Sequence, residues 1–146
     1  MNTKKNSVSV LQVNFDDKKL INKIFEIRNQ VFVVEQNVDP SEEYEFEESS
    51  IHFLLFEDKT PCATARYRKT EKGIKLERFA VLKQYRKKGY GNKILKRILE
   101  ELKNNEDVIY LHAQVQVVDF YKKQGFIKKG DIFSEAGIQH YKMIYN

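Results

Sequence analysis

The chain has 146 residues, 41% hydrophobic and 32% charged, with two prolines, six glycines and a formal net charge of +5. That length suits one hydrophobic core around a central sheet, so we expect a single domain over residues 1–146, and the composition excludes both a disordered chain and a disulfide-stapled scaffold. No apolar run approaches the roughly 20 residues that cross a bilayer, Cys62 has no second cysteine to pair with, and residues 1–10 lack the pattern of an export signal, so we expect a cytoplasmic protein with no membrane partner.

Residues 8–13 read as a first strand. Asp16 or Asp17 then caps a helix expected to run to about Val34, because Leu20, Ile21, Ile24, Phe25, Ile27, Val31 and Phe32 recur at spacings of three and four. Residues 37–50 hold Pro40 and five glutamates and read as a surface loop or a short helical turn. Three strands follow as a meander at 51–57, 63–69 and 74–82. Residues 91–103 form an amphipathic helix with Ile94, Leu95, Ile98, Leu99 and Leu102 on one face. A strand at 108–113, a helix at 117–123 ended by Gly125, and strands at 126–129 and 140–145 complete the chain. The order predicts an α/β fold whose mixed, mostly antiparallel sheet of about six to seven strands is flanked by helices. Tyr141, Met143, Ile144 and Tyr145 of the last strand fit either a buried core or an edge that joins two subunits, and we lean slightly to a homodimer.

The densest chemical signal is Arg86-Lys87-Lys88-Gly89-Tyr90-Gly91, between a predicted strand and a predicted helix. Glycines let consecutive N–H groups turn toward phosphate oxygens, and a helix N-terminus adds about half a positive charge. By itself the segment is equally a plain turn with a solvated basic rim. The pattern GxxxxGK followed by Ser or Thr is absent, and GxGxxG fails at Ile94. Acidic residues crowd 42–48, so the basic cluster is local, which favours a phosphate pocket over a nucleic-acid face. No nucleic-acid partner is expected.

Arg86 to Gly91 fits R/Q-x-x-G-x-G/A, and with it the chain resembles the GNAT acetyltransferases. Asp119-Phe120-Tyr121-Lys122-Lys123-Gln124-Gly125-Phe126 is similar to the family's tyrosine-bearing helix ending in Gly-Phe, and residues 27–36 and 135–140 resemble the ends of one small bacterial subfamily of mostly unassigned substrate. The resemblance spans residues 8–145. It implies the GNAT acyl-CoA N-acyltransferase fold, acetyl-CoA as cosubstrate with no metal, and direct acetyl transfer to a primary amine of a small molecule. It also implies that the backbone of Phe79, Ala80 and Val81 holds the pantetheine arm. Arg86, Lys87, Lys88, Gly89, Tyr90, Gly91 and Asn92 would hold the pyrophosphate, with Gln114 and Phe120 as further cofactor contacts. Gln114 stands where many members carry asparagine, and Val117 where a small residue is common.

Acyl transfer to an amine requires aligned reactants, a neutral amine, a stabilised oxyanion and a partner for the departing thiolate. The resemblance gives Tyr121 the last task. With ordinary pKa values of about 10 for tyrosine and about 8.5 for a thiol, complete proton transfer is uphill by roughly 2 kcal/mol, so a hydrogen bond to sulfur is expected instead. For the base, His140 ranks first, Glu77 second and His112 third, since histidine changes charge near neutral pH. Glu77 is expected on the same side of its strand as Phe79, and would need burial to raise its pKa. A structural role is the plain alternative for each. Arg28, Arg78, Gln114 and His112 are candidates for shaping the acceptor pocket; Arg78 is expected on the opposite side of its strand from Glu77, and Arg28 is equally a surface ion-pair partner of residues 42–48. Glu35 with that loop would instead suit a cationic acceptor such as a polyamine. Cys62 has no adjacent histidine, so an acetyl-cysteine route is not expected, and His52, His112 and His140 lack metal-ligand spacing. The rival functions are a non-catalytic acetyl-CoA sensor and a basic nucleic-acid module.

Overall fold

The computed structural model describes residues 7–146. Its elements are β1 (Val8–Val13), α1 (Lys18–Arg28), α2 (Pro40–Glu43), β2 (Ile51–Glu57), β3 (Thr60–Thr70), β4 (Gly73–Val81), α3 (Tyr90–Glu101), β5 (Ile109–Gln114), α4 (Val118–Lys123), β6 (Phe126–Lys128), β7 (Phe133–Glu135) and β8 (Ile138–Tyr145). The strands form one eight-stranded sheet in the order β1-β2-β3-β4-β5-β8-β6, with β7 paired to β8. The three-residue β7 is the addition to the expected pattern; it is too short to show a period of two. Because β8 has β5 on one side and β6 and β7 on the other, the last strand is not the edge that a strand-paired dimer would use. No helix among the described residues is long and apolar enough to cross a membrane.

Asp17 starts α1 by accepting a hydrogen bond from the Leu20 amide at 3.2 Å, satisfying one of the free donors of the first turn. Past Arg28 the expected long α-helix instead widens into a π-helix, Asn29–Glu35. Such turns are rare and concentrate at functional sites. Here the wider turn buries Val31 while Phe32, Glu35 and Gln36 border a cavity. Asp39 caps α2 through the Ser41 amide at 2.9 Å, with Pro40 at the first helical position, where a missing N–H costs nothing.

The sheet buries two faces. Ile21, Ile24, Ile27 and Val31 cover Val13, Leu54 and Ala80 on one side. On the other, Ile94, Leu95 and Ile98 of α3, with Val118 and Tyr121 of α4, cover Phe53, Leu55, Leu76, Leu111 and Met143. Each fully buried aliphatic side chain contributes about 1.5–3 kcal/mol, so these stripes hold the helices on the sheet.

Two departures from a regular sheet shape the functional region. First, β4 pairs with β5 in parallel only from Ile74–Ile109 to Leu76–Leu111, beyond which the strands diverge. Second, Arg66 pairs with Glu77 while Thr64 pairs with Ala80, so Arg78 and Phe79 share one partner position in a β-bulge. Arg78 takes φ 58° there. The bulge reverses the alternation expected for this strand. Glu77 lies on the α1 side with Arg66, whereas Phe79 packs on Tyr121 on the opposite side, ring centroids 5.8 Å apart. Arg78 is not opposed to Glu77 either, since its Nη1 is 3.4 Å from the Glu77 carboxylate.

Candidate active site

A cavity of about 1000 Å³ opens where β4 and β5 separate, at the upper end of the range for small-molecule sites. It runs from the N-terminus of α3, past Phe79, Ala80 and Val81, to a wall formed by β5, β7, β8 and the π-helix.

At the α3 end, Lys87 and Gly89 are both left-handed, with φ 67° and 77°. Gly89 is the N-cap and offers no side-chain cap, so the first amides of α3 stay available. A Cβ built on Gly89 would meet nothing within 4 Å, so it is the left-handed turn and not crowding that calls for glycine. At Gly91 a Cβ would sit 3.8 Å from Phe120, inside the cavity lining. The three basic residues expected here are used differently. Arg86 holds Glu35 of the π-helix with Nη1 and Nη2 at 3.0 and 2.8 Å, and donates through Nε to the Val81 carbonyl at 2.9 Å. Lys88 is outside the lining, 3.1 Å from Glu57, whose carboxylate also accepts from the Tyr90 hydroxyl and thereby pushes the Tyr90 pKa up to about 12. Lys87 lines the cavity with no ion pair among the described residues. Asn92 also borders it, with Oδ1 buried and unpartnered.

Tyr121 is 7% exposed in a ring of Phe79, Phe120 and Phe126. Burial raises its pKa, so the hydroxyl stays protonated and keeps a proton to donate at physiological pH. It borders the cavity and has no hydrogen-bond partner among the described residues. Gln114 is clasped by Gln36 across the mouth of the crevice. Gln114 Nε2 donates to Gln36 Oε1 at 3.0 Å, Gln36 Nε2 donates back at 3.3 Å, and Gln116 adds a bond at 2.6 Å.

On the α1 side of the sheet, His112, Gln114 and His140 share one face, because Gln114 pairs with His140 and His112 with Lys142. His140 is buried, and its Nδ1 donates to the Ile138 carbonyl at 2.7 Å, which leaves Nε2 as the acceptor in the neutral ring. His112 Nδ1 is 2.8 Å from Glu135 Oε2. That hydrogen bond, with the charges of Lys75, His112 and His140, outweighs burial and brings Glu135 down to about 2. Phe133 packs against both histidine rings, at 4.9 and 5.8 Å.

Glu77 is buried, which alone would raise its pKa, but the charges of Arg66, Lys75 and Arg78 and a hydrogen bond from Arg68 outweigh burial and hold it below the ordinary value. It therefore lacks the raised pKa a carboxylate base needs. Arg28 is neither in the lining nor on the surface. At 1% exposure it binds Glu43 at 2.7 Å and Glu47 at 2.8 Å, so the acidic loop folds inward over it. Arg78 lines the cavity and bonds the Glu43 carbonyl at 3.3 Å. Glu35, engaged by Arg86, is not open to a cationic acceptor in this arrangement. Cys62 is fully buried outside the cavity, burial raises its thiol pKa, and Sγ donates to the Thr60 carbonyl at 3.1 Å.

The sequence pattern does not single out Lys75, Glu43, Gln36 or Glu135, all of which line the cavity. For Lys75 a signal exists in the alternation of Ile74 and Leu76 with Lys75 and Glu77. The partners of the other three come from distant segments and leave no local trace.

The Acetyltransferase (GNAT) domain family matches residues 13–146. YjcF of Bacillus subtilis, described as an uncharacterized N-acetyltransferase, is 37% identical over 123 residues, covering 82% of this chain and 88% of its own. An acyl-CoA N-acyltransferase from Pseudomonas aeruginosa shares the fold with a TM-score of 0.85 at 23% identity, over 96% of this chain and 100% of that one. The PaiA N-acetyltransferase of Thermoplasma acidophilum, solved with coenzyme A, gives 0.67 at 16% identity, over 95% and 98%. With the glycine turn, the diverging strands and the family match all falling on the same residues, the chain belongs to the GNAT acetyltransferase family.

Proposed function

We propose that the protein transfers acetyl directly from acetyl-CoA to a primary amine of a small molecule. The observation that carries this reading is the uncapped, left-handed turn at α3, opening into a cavity that continues between the diverging strands β4 and β5. The residues fit the cosubstrate. Free α3 amides and Lys87 suit its phosphates, and the backbone of β4 beyond Leu76, unpaired by β5, suits a pantetheine arm lying alongside as an added strand. When bound, acetyl-CoA supplies a thioester carbonyl for the amine and a thiolate leaving group.

The remaining work falls to side chains. Tyr121 is a fixed donor whose hydroxyl suits the thiolate. His140, its Nδ1–H tied to the Ile138 carbonyl, presents Nε2 as the proton acceptor for the incoming amine. His112, oriented by Glu135, is the second acceptor of this kind, and Glu77, held ionised among cations, serves to balance Arg66, Arg68 and Arg78. Arg28 holds the loop that roofs this wall, and Arg78 helps to line it.

The test is release of free thiol from acetyl-CoA against a panel of primary amines, with His140→Gln and His112→Gln alongside the parent. We expect turnover with at least one amine and a loss of about 100-fold in kcat for His140→Gln with acetyl-CoA affinity kept. A folded parent that binds acetyl-CoA yet acetylates no amine would leave it a ligand-binding protein.

A further inference from the structure

Four carboxylates bordering the cavity are already committed to basic partners. Glu43 is held by Arg28, Glu77 by Arg66 and Arg68, Glu135 by His112, and Glu35 by Arg86. Lys75 differs from these. It lines the cavity at 9% exposure, yet its ammonium makes no hydrogen bond among the described residues and has one ion-pair partner, Glu77 Oε2, at 3.8 Å. Glu77 already receives nearer donors from Arg68 and Arg78, and Glu135, the other carboxylate on this wall, is committed to His112 at 2.8 Å. The Lys75 ammonium is not one of the fully buried atoms left without a partner among the described residues; it opens on the cavity, where its three donors are available to a ligand.

Neighbouring positions add positive charge. Lys75 pairs with Arg68 on β3 and with Tyr110 on β5, and the Lys142 ammonium sits 5.0 Å above the Tyr110 ring. Lys75 thus sits near the apex of the crevice, one residue before Leu76–Leu111, the last level where β4 and β5 are still joined. The reactive end, where Gln114 pairs with His140, is four residues farther along β5 from Tyr110. At about 3.3 Å per residue that is about 13 Å, part of which the lysine stem spans.

We propose that Lys75 binds a carboxylate of the acceptor, so that the substrate class is an amine carrying an anionic carboxylate several bonds away, in the manner of an ω-amino acid. This rests on the acetyltransferase reading above and adds the acceptor's charge and length. An α-amino acid is too short to reach both ends. A diamine or polyamine would place a second ammonium against Lys75, and is disfavoured.

Binding can be read without turnover. CoA-loaded protein is titrated calorimetrically with N-acetyl derivatives of ω-amino acids of increasing chain length, and with the matching carboxamides. The expected result is that one or more carboxylates bind the parent at least tenfold more tightly than their carboxamides. In Lys75→Met that preference should collapse while acetyl-CoA affinity stays within twofold. Equal binding of carboxylate and carboxamide by the parent, no binding of either, or a preference that survives in folded Lys75→Met would overturn the proposal. So would tighter binding of N-acetyl diamines. The parent comparison stands even if the variant fails to fold. Thiol release with any amine tests the acetyltransferase reading separately, so that reading and the assignment of Lys75 can fail independently.

Discussion

At the α3 end of the cavity the groups offered to a ligand are backbone amides beside the left-handed Gly89 and the side chain of the left-handed Lys87, all within a few positions of one another. At the opposite end they are buried charges whose partners come from α1, α2, β3 and β4. A backbone site binds the part of a substrate common to a whole family, because any sequence that makes the turn makes the site. A side-chain site can be retuned residue by residue. The cost also differs, since buried ions must be matched closely to offset their desolvation.

The sharpest way to break this comparison is to unbalance the charged wall. Arg28→Met would leave Glu43 and Glu47 buried beside an uncharged side chain of similar length, and should lower the unfolding free energy in urea by about 3–5 kcal/mol. A loss below about 1 kcal/mol would mean that the loop carries its charges into solvent and the wall is not prebuilt. Next in size, Tyr121→Phe keeps the packing against Phe79, Phe120 and Phe126 but removes the donor. Turnover should fall about 10- to 100-fold with acetyl-CoA affinity retained; an equal loss of affinity would show the hydroxyl to be a binding group.

Gln36→Ala removes two hydrogen bonds from Gln114. At a net of about 1 kcal/mol for each bond, a drop of up to about 30-fold in transfer rate is expected if the clasp positions the β5 end, and a change below twofold would show that it does not.

The smallest effect concerns Glu135, brought from 4.5 to about 2 chiefly by His112. A depressed carboxylate stabilises the fold fully above pH 4.5 and loses that contribution as pH falls from about 4.5 toward about 2. Its side chain is 38% exposed, so solvent screens the effect. Glu135→Gln should make the acid-unfolding limb shallower within that window, and an unchanged limb would mean that the His112 contact is not kept in solution.

The helices, the meander and the glycine turn were legible in the sequence because each depends on spacing over a few residues. The π-helix was not, because the periodicity of Leu20 to Phe32 continues through Asn29 without registering a wider turn. The bulge at Arg78 was also hidden. Nothing in Glu77-Arg78-Phe79 distinguishes it from a regular strand, yet that one extra residue decides which side of the sheet Glu77 and Phe79 occupy. Arg86 shows a third limit. Its motif marks it for phosphate, but its partner Glu35 lies 51 residues away, and no local pattern announces the pair.

Calorimetric titration of acetyl-CoA into the parent and Gly91→Glu tests the central claim most directly. A glutamate in the first turn of α3 favours the helix dipole by about 0.3–1 kcal/mol, so the fold should be at least as stable, while its carboxylate would project into the space assigned to phosphate. The expected result is micromolar binding to the parent, weakened about 100-fold in the variant with thermal stability unchanged or raised. No binding by a folded parent, or equal binding by both proteins, would contradict it.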